Sequence, residues 1–297
     1  MRCRTWLSCL MMVGLVVSGN ACSDVEKGGP TTPAPPPPPP PEPPPPAAPQ
    51  LQFTRFLAFG DSMTYGVVAP DASGRLYALG PAFSYPSVLH GLLQQRYADQ
   101  TIGVSNEGSG GERLRAGVVR LTNLLPSARP DVLLLMEGAN DLSDCAHALS
   151  SDQQPCLDAA ISSLNDLARQ ARLTLRADGA GFVVLMFATL PPQRPDGSTA
   201  GAPFVEQFNQ GVRDIARGEG GILVDVFAAF GGVADPTLVG PDGLHPTMQG
   251  YNVIAQAFFD AIMTQPGWET PPPASPTDTT FLLLAPAASR RTGHGGQ

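Results

Sequence analysis

Residues 53–64 read Phe-Thr-Arg-Phe-Leu-Ala-Phe-Gly-Asp-Ser-Met-Thr, an apolar run followed by a small polar turn. The apolar part, residues 53–59, is rich in aromatic side chains and lacks a helical period, which predicts a buried strand. Ser62 would then begin the next helix, with its hydroxyl at a surface crevice and its backbone N–H at the positive helix end. Taken alone, however, the stretch favours a simpler interpretation, in which Asp61 or Ser62 caps a helix.

The succession of a strand and a helix repeats along the chain from residue 51 onward. The run at residues 131–136 is continuously apolar in its middle, as expected for a strand covered on both faces. Five such strands alternating with helices predict an α/β fold, a parallel sheet between two layers of helices. The predicted strands cover residues 53–59, 101–105, 131–136, 182–188 and 222–226. The predicted helices cover residues 84–98, 112–125, 158–176, 204–216 and 248–263.

The two ends of the chain differ in composition from its centre. Of the 297 residues, 33 are proline, and these are strongly clustered. Setting the ends aside leaves roughly 220 residues, enough for one α/β domain with its own core. We place this domain at residues 51–268. The formal net charge of −8 argues against nucleic acid or an anionic membrane surface as a partner.

Residues 1–21 have the pattern of a secretory signal peptide. Two arginines precede an apolar run, residues 10–17, that is too short to span a bilayer. Residues 18–22, Ser-Gly-Asn-Ala-Cys, resemble the bacterial lipoprotein box, in which the cysteine is acylated and anchors the protein to a membrane. Residues 19–21 also satisfy the small-x-small rule for ordinary cleavage, which would make the protein secreted. We favour lipidation of Cys22, since a long tether follows it, and expect an exported protein anchored on the periplasmic or cell-surface side.

Proline-rich and polar segments flank the predicted domain. Residues 22–50 become proline-rich after a short polar stretch, and such a run adopts polyproline II. It would act as a tether that holds the domain clear of a membrane. Residues 269–297 are rich in proline, serine and threonine and are predicted to be a disordered tail.

Two cysteines remain in the predicted mature domain. Cys3 and Cys9 leave with the signal peptide and Cys22 would be lipidated, which leaves Cys145 and Cys156. In an oxidising compartment such a pair predicts a disulfide. The alternative is two unpaired buried thiols, which is less expected in an exported chain.

Polar side chains that suit chemistry follow four of the predicted strands. Ser62 follows the first strand, the Gly108–Gly111 turn the second and Asn140 the third. Asp242 and His245 lie beyond the fifth. In an open parallel sheet the carboxyl ends of the strands share one edge, where ligands bind. We therefore expect these residues to meet in one crevice.

The types of these residues suit acyl transfer. His245 is the natural base to take the proton of the Ser62 hydroxyl, because imidazole titrates near neutrality. Asp242, three residues earlier, could accept the other imidazole N–H and orient the ring. The backbone N–H of Ser62, the N–H of a turn glycine and the side-chain amide of Asn140 could stabilise the oxyanion of a tetrahedral intermediate.

Four short motifs occur in order, each after a predicted strand: Gly60-Asp61-Ser62-Met63, Asn106-x-Gly108-x-x-Gly111, Gly138-x-Asn140-Asp141 and Asp242-x-x-His245-Pro246. Together they resemble the SGNH/GDSL hydrolase family, of the exported bacterial lipoprotein type, over about residues 53–263. The resemblance implies a flavodoxin-like sheet in the strand order 2-1-3-4-5, with Ser62 beside Asn140. It also implies that Gly111 supplies the glycine N–H that faces the oxyanion.

Each of these residues also has a purely structural interpretation. His245 could cap a turn before Pro246, Asn140 could stabilise its own loop, and Gly111 could be only a turn residue. A backbone carbonyl could replace Asp242 as the group that orients His245. We interpret His245, Asn140, Gly111 and Asp242 as functional.

The other polar residues near the motifs receive no catalytic role. Asp61 and Asp141 are predicted to bond nearby backbone N–H groups, and His90 and His147 are assigned no function. No pair of histidines has the spacing of metal ligands, and no dinucleotide glycine motif occurs. We therefore predict neither a metal nor a cofactor.

The leading hypothesis is a serine esterase or lipase-like hydrolase that acts on a small-molecule or glycan ester. A second hypothesis assigns the same residues to a deacetylase or acyltransferase for polysaccharide or cell-envelope esters. A third is a non-catalytic, surface-binding lipoprotein that retains the fold. The presence of a nucleophile, a base and oxyanion donors argues against the third.

Overall fold

The computed structural model of the chain describes residues 48–68, 77–78, 81–195 and 201–270. The predicted signal peptide, Cys22, most of the proline-rich tether and the tail from residue 271 onward lie outside the described residues. What the sequence suggests for those segments stays a prediction.

The centre of the fold is a sheet of five strands: β1 (Arg55–Gly60), β2 (Gly103–Gly108), β3 (Val132–Met136), β4 (Val184–Ala188) and β5 (Ile222–Val224). The strand order is β2-β1-β3-β4-β5, and each neighbouring pair runs parallel. The order reverses at β1, which is where an open α/β sheet forms its ligand crevice. The predicted fold class and the strand order implied by the family resemblance are confirmed.

Eight α-helices lie around the sheet within the described residues: α1 (Ser62–Tyr65), α2 (Tyr85–Arg96), α3 (Leu114–Ala128), α4 (Ala139–His147), α5 (Gln153–Arg172), α6 (Val205–Gly218), α7 (Val226–Ala229) and α8 (Met248–Met263). Helix α2 packs against α8, whereas α5 packs against both α3 and α6. All residues of β3 are buried, because helices cover both faces of the sheet. None of the helices in the described part of the chain is both long and apolar enough to cross a membrane.

Short elements complete the fold. A two-stranded pairing joins Val67–Val68 to Tyr77–Ala78, and single 3-10 turns cover Pro81–Phe83 and Ala202–Phe204. The ring of Tyr85 on α2 stacks on that of Phe258 on α8, with centroids 5.1 Å apart. This contact holds the two helices of one layer together.

The two ends of the described domain pair with each other. Gln50–Leu51 forms an antiparallel ladder with Glu269–Thr270. Arg96 donates two hydrogen bonds of 2.9 Å to the Glu269 carboxylate, through Nε and Nη2. Gln50 and residues 269–270 are therefore part of the folded domain, although the sequence placed them in the tether and the tail.

Strand β2 begins and ends later than the sequence suggested. It covers residues 103–108 and not 101–105, so Asn106 and Gly108 lie in the strand and not in the turn that follows. The Asn106 amide donates to the carbonyl of Thr64 at 2.9 Å, and its oxygen accepts from the N–H of Gly108. A polar side chain that bonds neighbouring backbone in this way fits an edge strand.

The segment that carries the cysteines is largely helical, although the sequence predicted no helix between residues 137 and 157. Cys145 lies in α4 and Cys156 in α5, which begins at Gln153, five residues before the predicted start at residue 158. Pro155 obscured this start, but a proline in the first turn of a helix lacks only an N–H that has no intrahelical partner. The two cysteines form a disulfide with a Cα–Cα distance of 5.4 Å, which links α4 to α5.

Replacing both cysteines with alanine should lower the free energy of unfolding by about 2–3 kcal/mol, because the bridge restricts the unfolded chain. Urea unfolding of the Cys145→Ala/Cys156→Ala variant and of the oxidised wild type measures the difference. Wild type unfolded in the presence of a reductant is the matched control and should resemble the variant. Equal stabilities of oxidised and reduced wild type would contradict this expectation.

Candidate active site

Ser62 is the first residue of α1, immediately beyond the end of β1. The preceding residue, Asp61, caps this helix by accepting the N–H of Met63 at 2.9 Å. The end of β1 is therefore followed by a capping carboxylate, that of Asp61, and then by the hydroxyl of Ser62. The capping role predicted for this stretch belongs to Asp61, which leaves the Ser62 hydroxyl for another partner.

That partner is His245. Its Nε2 atom lies 2.9 Å from the Ser62 Oγ atom, although the two residues are 183 positions apart in sequence. Its Nδ1 atom lies 2.6 Å from Oδ2 of Asp242. A carboxylate can only accept, so Nδ1 carries the hydrogen and Nε2 is left as the acceptor for the serine hydroxyl. The structure thus brings together three of the sequence-predicted residues in one hydrogen-bonded line.

The Asp242 carboxylate is also held by its own loop. Its second oxygen accepts the backbone N–H groups of Leu244 and His245 at 3.1 and 3.0 Å. Burial by itself would raise the pKa of Asp242, but hydrogen bonds from the His245 ring and from these N–H groups lower it below the ordinary value. The carboxylate is therefore charged when a positive imidazolium would form beside it.

The predicted oxyanion donors follow the neighbouring strands. Gly60 at the end of β1 pairs in register with Gly108 of β2 and Met136 of β3, so the turns that follow these strands lie side by side. Gly111 has a φ of 75°, a left-handed conformation that favours glycine. Asn140 follows β3 and lies in the first turn of α4.

The Asn140 side chain is fixed by one hydrogen bond. Its Nδ2 atom donates to the backbone carbonyl of Glu112 at 2.9 Å. A primary amide has two hydrogens, so a second hydrogen remains for a substrate oxygen. Because Glu112 directly follows Gly111, this bond ties the two predicted oxyanion donors to each other.

Three carboxyl groups lie behind the site, of which Asp61 and Glu137 are buried and Asp141 is half-buried. Burial raises the pKa of Asp61 to about 6 and that of Asp141 to about 6. Asp141 accepts the N–H of Leu114 at 3.0 Å and thereby joins the start of α4 to the start of α3. The hydrogen bonds of Asp61 and Asp141 are those that the sequence indicated, to nearby backbone.

Glu137 is the third of these carboxyl groups, and sequence reasoning missed it. Its side chain is 2 % exposed, and neither oxygen has a hydrogen-bond partner among the described residues. Burial, reinforced by repulsion from Asp61, raises its pKa to about 9. The only sequence signal was a carboxylate between an apolar strand and Gly138, a position that usually faces solvent.

A second missed feature supports the loop that carries His245. The Asn209 side chain on α6 bonds both the N–H and the carbonyl of Leu190, at 2.8 and 2.9 Å. Four residues further on, the N–H of Arg194 donates to the carbonyl of Gly243 at 2.8 Å. Gly243 lies between Asp242 and His245, so the loop at residues 190–194 supports the turn that carries those two residues.

The other two histidines among the described residues lie apart from the site. His90 Nε2 is 3.0 Å from the carbonyl of Ile102, and His147 Nδ1 is 2.7 Å from that of Ser143. In the part of the chain that the structure describes, no three metal-ligating side chains are grouped.

Comparison with known proteins agrees with this geometry. The GDSL-like lipase/acylhydrolase family model matches residues 58–253. An acetylxylan esterase of Geobacillus stearothermophilus is 27% identical over 213 residues, which cover 70% of this chain and 93% of the esterase.

Two solved structures show the same fold. An α/β hydrolase enzyme from the metagenome of Lake Arreo in Spain has a TM-score of 0.56 and 24% identity, covering 73% of this chain and 96% of that one. An acetylxylan esterase from Geobacillus stearothermophilus has a TM-score of 0.54 and 22% identity, covering 72% and 96%. Catalytic mutants of an acetylxylan esterase from this organism replace a serine, an aspartate and a histidine with alanine.

Replacing Glu137 with glutamine should change how stability depends on pH. The folded state keeps the Glu137 proton up to about pH 9, whereas the unfolded chain releases it near the ordinary value. Folding therefore loses stability as pH rises between these values, by up to about 1.4 kcal/mol per pH unit. Glu137→Gln lacks this term, so the variant should gain stability relative to wild type as pH rises.

Urea unfolding of both proteins from about pH 7 to about pH 8.5 measures this difference, in a range above the pKa of Asp61. The control is Glu107→Gln. Glu107 bonds Arg120 through its backbone carbonyl, which this substitution keeps. Parallel pH dependences for wild type and Glu137→Gln would show that Glu137 is charged in the folded protein.

Proposed function

We propose that this chain, which belongs to the GDSL-like lipase/acylhydrolase family and is a carboxylic ester hydrolase, works through an acyl-enzyme on Ser62. The observation that carries the proposal is the hydrogen-bonded line from Asp242 through His245 to the Ser62 hydroxyl. The alternative of a non-catalytic binding lipoprotein is set aside, because the family is one of hydrolases.

In the first half of the reaction the Ser62 oxygen attacks the ester carbonyl carbon. His245 Nε2 takes the hydroxyl proton, and Asp242 stabilises the imidazolium that results. The carbonyl oxygen becomes an anion, which the N–H groups of Ser62 and Gly111 and the Asn140 amide would stabilise. When the tetrahedral intermediate collapses, the C–O bond to the alcohol breaks and His245 returns the proton to the leaving oxygen.

In the second half a water molecule replaces the alcohol. His245 again acts as base, and the water oxygen attacks the acyl carbon held on Ser62. The intermediate uses the same oxyanion donors, and its collapse releases the carboxylic acid and restores the Ser62 hydroxyl. An acyltransferase would run the same step with an acceptor alcohol in place of water.

The substrate class that we propose is an acetyl ester on a polysaccharide. The support is the acetylxylan esterase relative, which matches 70% of this chain. In the solved acetylxylan esterase from the same organism, the serine, aspartate and histidine replaced in the catalytic mutants are of the types found here at Ser62, Asp242 and His245. This makes the deacetylase, one of the sequence-based alternatives, the favoured form of the esterase.

Ser62→Ala should reduce the turnover of p-nitrophenyl acetate by at least about 10³-fold, because the acyl-enzyme loses its attachment point. A fluorophosphonate probe, followed by mass spectrometry, should label the wild type on Ser62 and leave the variant unlabelled. Ser105→Ala, a change at an exposed serine of the edge strand that bonds the Phe56 carbonyl, is the matched control and should keep full activity. Equal rates for wild type and Ser62→Ala would reject the serine mechanism.

Acetyl esters should be the preferred substrates. In a series of p-nitrophenyl esters from acetate to palmitate, we expect kcat/KM to be highest at acetate. A longer acyl chain is bound well only where the protein offers apolar surface to each added methylene in place of water. The acetylxylan esterase relative is named for acetyl esters, which need no such surface. Acetate release from acetylated xylan should occur with wild type and be absent with Ser62→Ala. Highest kcat/KM on the palmitate ester, with no acetate released from xylan, would contradict the proposed substrate class.

A further inference from the structure

Arg120 on α3 lies at the junction of three backbone segments at the carboxyl edge of the sheet. Its Nε atom lies 2.9 and 2.8 Å from the two carboxylate oxygens of Glu112, and Nη2 also bonds this carboxylate. Nη1 donates to the carbonyl of Glu107 at 2.9 Å, and Nη2 donates to that of Gly60 at 3.2 Å. The guanidinium carbon lies 3.9 Å from the ring centroid of Phe59.

Each contact of Arg120 reaches a segment that carries an oxyanion donor. Gly60 lies two residues before Ser62, and Glu107 lies at the end of β2, just before the turn that contains Gly111. Glu112 immediately follows Gly111. Arg120 therefore touches none of the donors themselves, but it bonds the backbone or side chain beside two of them.

The third donor, Asn140, is connected to Arg120 through Glu112. The Glu112 carbonyl accepts the Asn140 amide at 2.9 Å, so the position of Asn140 depends on where Glu112 lies. The Gly60 carbonyl also accepts the N–H of Ser109 at 2.9 Å. One guanidinium thus connects the segments that place all three oxyanion donors.

A guanidinium is suited to this task in a way that an ammonium is not. Its planar fork offers five hydrogens in fixed directions, so it can bind a carboxylate with two atoms and two carbonyls at once. The Glu112 side chain is 7 % exposed, so without a matching partner its charge would be drawn toward water. Such a movement would carry the backbone of Gly111 with it.

We propose that Arg120 is a positioning residue of the oxyanion site, which sets kcat by keeping the Ser62, Gly111 and Asn140 donors in one arrangement. This inference rests on the proposed serine mechanism. Displacing donors that act only on the transition state lowers kcat and leaves ground-state binding nearly unchanged. A misplacement on the order of 1 Å can cost about 10²-fold in rate.

The test is the Arg120→Lys variant, which keeps the positive charge beside Glu112 but loses the fork. On p-nitrophenyl acetate we expect kcat to fall by at least about 10-fold, with KM within about threefold of wild type. Arg96→Lys is the matched control, because Arg96 also binds a carboxylate through Nε and Nη2, but that of Glu269, in the two-residue strand that follows α8. It should leave kcat unchanged.

A double-mutant cycle with Asn140→Ala separates positioning from general loss of structure. Asn140→Ala removes one oxyanion donor and should by itself cost about 10²–10³-fold in kcat. If Arg120 acts through the oxyanion donors, Arg120→Lys should cost less in that background than in wild type, because one of the donors that it positions is already absent. A loss that multiplies in full, or a kcat of Arg120→Lys within about threefold of wild type, would overturn the proposal.

A second variant guards against misfolding. Arg120→Gln combined with Glu112→Gln removes both charges together, leaves no unpaired carboxylate, and should show the same fall in kcat. A double variant that folds and keeps wild-type kcat would also overturn the proposal. Ser62→Ala distinguishes the two levels of the argument. If it retains turnover, the serine mechanism fails and the Arg120 proposal fails with it; if it does not, the Arg120 variants alone decide.

Discussion

The structure depends on the register in which β1 lies between β2 and β3. Gly60 is paired with Gly108 on one side and with Met136 on the other, so the three strands end at the same level. Any Cβ on Gly60 would collide with the Met136 carbonyl, and one on Gly108 would collide with the backbone of Tyr65. The two glycines therefore allow α1 to fold back against the strand ends. From this common level the chain needs only two residues to reach Ser62 and four to reach Asn140.

This arrangement places several ionisable groups where water cannot reach them. Asp61 and Glu137 are both nearly inaccessible, and burial raises the pKa of each. Burying a carboxyl group without a full set of partners costs free energy, which the apolar core of the domain must offset. Local strain or unpaired polar groups at a site that performs chemistry are common in enzymes. The buried carboxyl groups around Ser62 therefore lower the stability of the fold, while the polar groups there are held in a fixed arrangement.

The sequence predicted the candidate residues whose side-chain chemistry suits acyl transfer. It missed the residues whose importance depends on where the fold places them. Ser62 and His245 could be found because a hydroxyl and an imidazole at strand ends suit acyl transfer, and the motifs around them resemble a family that the comparisons confirm. Glu137 could not be found, because a single acidic residue after an apolar strand is typical of an exposed loop. The Asn209 brace was equally hidden, since its contact with Leu190 crosses between two elements. The helical segment at Cys145 was missed because short helices have weak periodicity.

The two halves of the site are held by different means, although the sequence predicted residues of both. Asp242 and His245 lie three residues apart, and the Asp242 carboxylate bonds the backbone of its own turn as well as the imidazole. Such a unit is visible as a short motif, because one local segment sets its geometry. The proposed oxyanion donors belong to residues 62, 111 and 140, which follow the ends of three different strands. No local motif can encode contacts between those segments. Contacts between the segments require a side chain long enough to bond several segments at once. Arg120 is such a side chain.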